Sequence, residues 1–264
     1  MHTIFRPVEL VNVQQIPLGK AQRISVAYIA ESITVYEAEG DTLVLKEYLS
    51  DSSPDLFARV SADDAGITIK HGERPALLPL LRGYIELYLP KQYYGALNMQ
   101  TISGKIEVKR PLTLSDLALS STSGRVSLLD ATAGTAVLHT VSGSIAVQSL
   151  QAMANLRSTS GSIRVEGAAG AGEYKTVSGA IEVNYVAVTG PLTLGSTSGR
   201  VKLMLPRDLS FSVEAHSVSG RIDIPFPGIQ MAGGRSVSGA VGTPGGVKIK
   251  LNTVSGRIEA LPLG

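Results

Sequence analysis

Thr140-Val141-Ser142-Gly143-Ser144-Ile145 (TVSGSI), Thr176 to Ile181 (TVSGAI) and Thr253 to Ile258 (TVSGRI) are three copies of one hexapeptide. The Ser-Gly pair inside it occurs nine times, with glycines at 104, 124, 143, 161, 179, 199, 220, 239 and 256. The intervals run from 17 to 21 residues with a mean of 19. Self-similarity at such a period marks a repeat architecture, in which each unit buries its core against the next.

Aligned on the nine glycines, the residue three before is always Ser or Thr, from Thr101 to Thr253, and the one directly before is always Ser. Five and seven before are mostly apolar, as in Leu97/Met99, Leu117/Leu119, Leu192/Leu194 and Ile249/Leu251. Alternation of this kind describes a strand with one buried face, here apolar, apolar, hydroxyl, hydroxyl. Two residues after every glycine stands Ile or Val, from Ile106 to Ile258. The inward parity therefore flips at the glycine, which predicts a corner where glycine takes a positive φ and small hydroxyl residues fit inside. Successive coils would lie about 4.8 Å apart with their hydroxyls in ladders. Stretches of six to eight residues, such as Gly167 to Gly172 (GAAGAG) and Pro225 to Met231 (PFPGIQM), would be the return paths. The expected fold is all-β, a single-chain parallel β-solenoid with coils of about 19 residues, right-handed by the general crossover rule.

The organisation expected is one continuous solenoid over 1–264, with irregular coils and a cap in 1–95 and nine regular Ser-Gly coils in 96–264. A separate N-terminal domain is the alternative, but the junction around Leu89 to Val108 lacks a linker's composition. The chain has no Trp and four Phe, so thin layers of aliphatic residues must form the core. Twenty-eight glycines in 264 residues exceed the usual share, and the excess sits in the repeat as turn chemistry. A net charge of +2 gives no overall pull on polyanions, and the absence of cysteine excludes disulfides and thiolate chemistry. The first residues lack a secretory core and no run reaches a membrane span, so the sequence as given reads as soluble and cytoplasmic. Association with the cell envelope is the alternative.

The stretch Gly83 to Val108 (GYIELYLPKQYYGALNMQTISGKIEV), the recurring [ST]-[VT]-S-G-x-[IV] and Val247 to Ala260 (VKIKLNTVSGRIEA) resemble the bacterial DUF4097 proteins over roughly residues 24–260. The resemblance implies a β-solenoid, an adhesin label and, for some members, cell-envelope stress systems of Gram-positive bacteria; it brings no catalytic residues. That family often places Asp directly after the Ser-Gly, where this chain has Lys105, Arg125, Arg200, Arg221 and Arg257 and no acid.

Catalytic patterns are weak. A nucleophile elbow needs Ser at the centre of G-x-S-x-G, whereas Gly195 to Gly199 centres on Thr197. His2, His71, His139 and His216 are scattered; the last two share a column but lie four repeats apart, roughly 19 Å, too far for one metal ion. Arg164, Glu182, Lys202 and Asp223, each three past a glycine, alternate in sign and predict a surface ladder of pairs. No cofactor motif or nucleic-acid-reading pattern occurs.

One pattern exceeds structural need. The position four before the glycine and the one directly after it both face outward and carry Lys105, Arg125, Arg157, Lys175, Arg200, Arg221, Arg235 and Arg257. With the Val/Thr/Ile column between them, these positions hold eight bases and no acid, although the chain has 24 basic and 22 acidic residues. They are the candidate site for an anionic polymer, a membrane surface or a protein partner. The leading function is therefore a non-catalytic binding or scaffold module, possible links being to the cell envelope. The alternatives are a self-assembling structural scaffold and a carbohydrate-active β-helix enzyme.

Overall fold

The computed structural model describes residues 6–74, 81–232, 235–243 and 245–264, with the side chains of 230–232 left undescribed. Among the described residues the regular elements are strands and one 3-10 turn at Pro54–Leu56, and all these strands join a single hydrogen-bonded sheet wound into stacked coils. Strand Val126–Thr140 shows one coil. It pairs in parallel with Ile106–Ser121 below and Ile145–Ser158 above. Leu138 thus lies between Leu119 and Leu156 in the two neighbours, all three fully buried, and the same column continues along the stack. Equivalent aliphatic positions form one contiguous core, with Tyr174, Tyr185 and Phe211 as its largest members.

The return paths are strand as well. Gly167 to Gly172 lies inside strand Ile163–Thr176 and keeps parallel register with Ser149 to Ala154. Small residues let the ladder bend at a bulge without breaking, and Gly170 takes φ +117 there. Pro225 to Met231 does leave the stack, and its end forms the antiparallel strand Ile229–Ala232.

The corner differs from the sequence expectation in two respects. At eight of the nine Ser-Gly pairs, Gly239 excepted, the serine directly before the glycine is exposed, and so is its predecessor; only the hydroxyl three before points inward. The parity therefore shifts across that exposed pair. Nor does any Ser-Gly glycine have positive φ. What forbids a side chain is stacking: a Cβ on Gly124, Gly143, Gly161, Gly179 or Gly199 would overlap the carbonyl oxygen of the preceding corner glycine. The inward hydroxyl stitches the two coils. Ser158 Oγ donates to Gly143 O at 3.1 Å and accepts from Gly161 N at 2.8 Å. Seven further corners repeat this bond pair, from Thr101, on the Glu31 carbonyl, to Thr253.

The order of coils departs from the order of the chain. Val247–Thr253 pairs in parallel with Leu192 to Ser196 on one side and Phe211–Ser217 on the other. The last corner, at Gly256, therefore slots between those at Gly199 and Gly220. Gly239 is no corner: it lies in Ser236–Val241, antiparallel to both Phe211–Ser217 and Ile229–Ala232. Nine consecutive coils are thus corrected to eight Ser-Gly corners, the last two in reversed order.

The other end mirrors this. Arg23–Ala27 and Ser32–Ala38 slot in parallel between the strands that precede them in space, Ile67–Lys70 and Gly83–Pro90, and the Gly104 coil. Antiparallel strands then close the stack: Thr42–Leu49 on Gly83–Pro90, Glu9–Pro17 on Thr42–Leu49, and Arg59–Ala62 on Ile67–Lys70. Glu31 stands where the other corners have glycine, with Arg74 bound to its carboxylate at 2.7 and 3.0 Å. Glu47, fully buried, accepts from Tyr28 Oη, Ala58 N and Asn12 Nδ2 and ties three segments of the cap together.

Candidate binding groove at the coil corner

Register places the outward residues four before each corner in one column: Gln100, Ser120, His139, Arg157, Lys175, Gly195, Asn252 and His216, in spatial order. At the capped end Ala27 and then Lys70 extend it. Beside it runs the exposed column Ile102, Thr122, Val141, Thr159, Val177, Thr197, Val254 and Val218. Between the two a groove follows the stack axis. One stretch of it, a hollow of about 550 Å³, is lined from His139 to His216 on one column and from Thr159 to Val218 on the other. A second hollow, which shares His139 and Val141, continues it toward His71.

Three of the four histidines therefore border one groove, although the sequence scatters them; His2 lies outside the described residues. His139 and His216 are five coils apart rather than four, because the Gly256 coil intervenes, or roughly 24 Å. His216 Nδ1 lies 3.0 Å from Ser236 Oγ, and His71 Nδ1 lies 2.6 Å from Gly72 O. Among the described residues no three His, Cys, Asp or Glu side chains converge as a metal site.

The eight predicted cations do not form one seam. Arg157 and Lys175 face the groove; Lys105, Arg125, Arg200, Arg257 and Arg221 lie across the corner, on the neighbouring face. Arg235 precedes the antiparallel strand beside Ser217 and belongs to the end of the stack. Several cations are paired. Glu173 binds Arg157 at 3.1 Å and also Lys175, and hydrogen bonds from Lys175 first and Arg157 next hold its carboxyl below the usual range. Arg257 reaches Asp223 and Glu259 at 3.1 and 3.0 Å, and Glu259 lies 3.9 Å from Arg200. Among the described residues, no ion pair involves Lys105, Arg125, Arg221 or Arg235.

The charge ladder forms in part. Arg164–Glu182 and Glu182–Lys202 both close at 3.1 Å, but the next neighbour of Lys202 is Glu259, and Asp223 pairs with Arg257. Intercalation of the last coil changed the partners. Sequence reading missed Lys70 and the notch at Gly195: nothing marks residue 70 as a coil position, because its corner lacks Ser-Gly.

A family model described as Toastrack DUF4097 matches residues 21–260. No curated protein matches the chain. Among solved structures, one described as a "putative adhesin" from Parabacteroides distasonis is 12% identical, with 96% of each chain covered and a TM-score of 0.57. Another so described, from Parabacteroides merdae, is 11% identical, with 97% of each chain covered and a TM-score of 0.57. A third, described as "Putative lipid binding protein" and also from Parabacteroides distasonis, is 10% identical, with 96% of each chain covered and a TM-score of 0.54. At these identities the likeness is one of fold. Among the described residues no helix is long and apolar enough to cross a membrane.

Proposed function

We propose, from the premise that this chain belongs to the Toastrack DUF4097 family, that it is a non-catalytic binding module for an extended anionic partner, working at the cell envelope. The observation that carries this reading is the corner groove: it runs along the stack and sets Arg157, Lys175 and two histidines against an exposed Val/Thr column. Each cation is a weak, solvated contact alone. Spaced by one strand they fall within the Debye length of about 8 Å at physiological salt, so a partner spanning several coils feels them together. The buried corner hydroxyls are occupied with backbone groups, which fits a structural role for the repeat rather than a chemical one. The adhesin descriptions of the fold's relatives suit an envelope location.

The test is binding to anionic vesicles and to an anionic wall polymer at low and high salt. Wild type binds at low salt and releases as salt rises, because contacts with exposed cations are screened. Changing Arg157 and Lys175 together to Gln weakens binding strongly while the melting temperature holds. Equal binding by that variant, or none by wild type, would sink the proposal.

A further inference from the structure

Gly195 is the penultimate residue of strand Ile181–Ser196, and the backbone gives it no reason to be glycine. Its φ is not positive, and an added Cβ would meet nothing nearer than Asn252 O, at 3.9 Å, an ordinary contact. The corner glycines are the opposite case, since each would drive a Cβ into the carbonyl of its stacked neighbour. A strand glycine forfeits stability, and one not required by a bulge or a close backbone often marks where a ligand approaches.

Its place in the groove is specific. From Gln100 to His216 every other member of its column carries a side chain, so the missing one leaves a notch between Lys175 and Asn252. Thr193, two residues back on the same strand, and Thr197, just past its end, also line the groove. Val177 and Val254 stand on the far column. Hydroxyls, an amide and a cation thus surround a recess one side chain deep, beside an aliphatic strip.

We infer that this notch seats one ring of an acidic polysaccharide laid along the groove, with Lys175 and Arg157 toward its carboxylates and Thr193, Thr197 and Asn252 toward its hydroxyls. The inference rests on the anionic-partner reading and narrows it. A bilayer is flat and cannot enter a recess of this width, whereas a sugar chain is narrow and extended. The groove is open along the stack, which suits a polymer. The coils repeat at about 4.8 Å along the groove, so similar contacts recur along a linear polymer. Glu173 does not block the site: its pairs with Arg157 and Lys175 are half-exposed, and exposed pairs exchange readily for a competing carboxylate.

The experiment measures binding of polygalacturonate, with phosphatidylglycerol vesicles as the second probe. Gly195→Leu fills the notch without altering charge, and strand geometry accepts it. The expected result is at least a tenfold loss of polygalacturonate affinity with a melting temperature at or above wild type, and vesicle binding unchanged. Asn252→Leu, which removes the opposite amide, gives the same loss if Gly195→Leu proves unstable. Undiminished polygalacturonate binding by both variants, while Arg157→Gln/Lys175→Gln loses it, overturns the notch and leaves the anionic-partner reading standing. Wild type that binds vesicles but not polygalacturonate also overturns it, in favour of a membrane. Wild type that binds neither removes both proposals.

Discussion

A hydroxyl three residues before glycine does two things at each corner: it donates to the coil below and accepts from its own glycine. Thr176, for example, spans Gly161 O at 3.0 Å and Gly179 N at 3.2 Å. Thr176→Val keeps the shape but leaves both buried groups unpartnered, so it should cost about 1–3 kcal/mol. Ser178→Val, two residues away on the exposed side, should stay within about 0.5 kcal/mol. Gly179→Val should be the worst of the three, at about 3 kcal/mol, because its Cβ has no room against Gly161 O. Chemical denaturation of the three variants checks the order; equal losses for Thr176→Val and Ser178→Val would refute the stitch. The recurrence of these residues was plain in the sequence. Their roles were not, because a period shows which positions are constrained without showing whether φ or a neighbouring carbonyl constrains them.

At the level of elements, the unusual piece is the C-terminal segment. Val247–Thr253 and Ile258–Pro262 are the direct parallel partners of Phe211–Ser217 and of Ile222–Asp223. The same two strands also cover the upper edge of the Gly199 coil. Without them, the strand Phe211–Ser217 keeps only its antiparallel neighbour, Ser236–Val241. Deleting residues 247–264 should therefore strip amide-exchange protection from 211–223 while strands Ile106–Ser121 through Ile163–Thr176 stay protected, since their pairing is local in sequence. Protection lost evenly along the whole stack would show instead that the solenoid unfolds as one unit.

For the whole molecule, the two ends decide whether a stack of open edges stays apart or associates. Parallel coils present unpaired backbone at each end, and antiparallel strands cover them here: Glu9–Pro17 lies outermost over Thr42–Leu49, and Ser236–Val241 covers Phe211–Ser217. Removing residues 1–17 uncovers the Thr42–Leu49 edge and removes Asn12, one of the three donors to buried Glu47. The truncated chain should associate at concentrations where the full chain does not, as uncovered sheet edges template pairing. Light scattering over a dilution series checks this; a truncated chain that scatters as the full one does would show that the outermost strand has no protective part.

Residue pattern alone specified the solenoid, its coil length and the aliphatic core positions, and it marked nine corners of which eight form, because these features depend on one repeat and its immediate neighbours. It also marked the outward position four before the glycine, and hence Arg157 and Lys175, but not the exposure of the serine directly before the glycine. Which coils touch at the two ends emerges from the folded chain. Gly239 carries the same motif as Gly256, and its local sequence gives no reason for one to stand in an antiparallel hairpin and the other between Gly199 and Gly220. That choice is settled by non-local pairing energy, which no single repeat encodes. The groove was hidden for the same reason: Gly195, Asn252 and His216 are neighbours only because the chain's last coil returns to lie between two earlier ones.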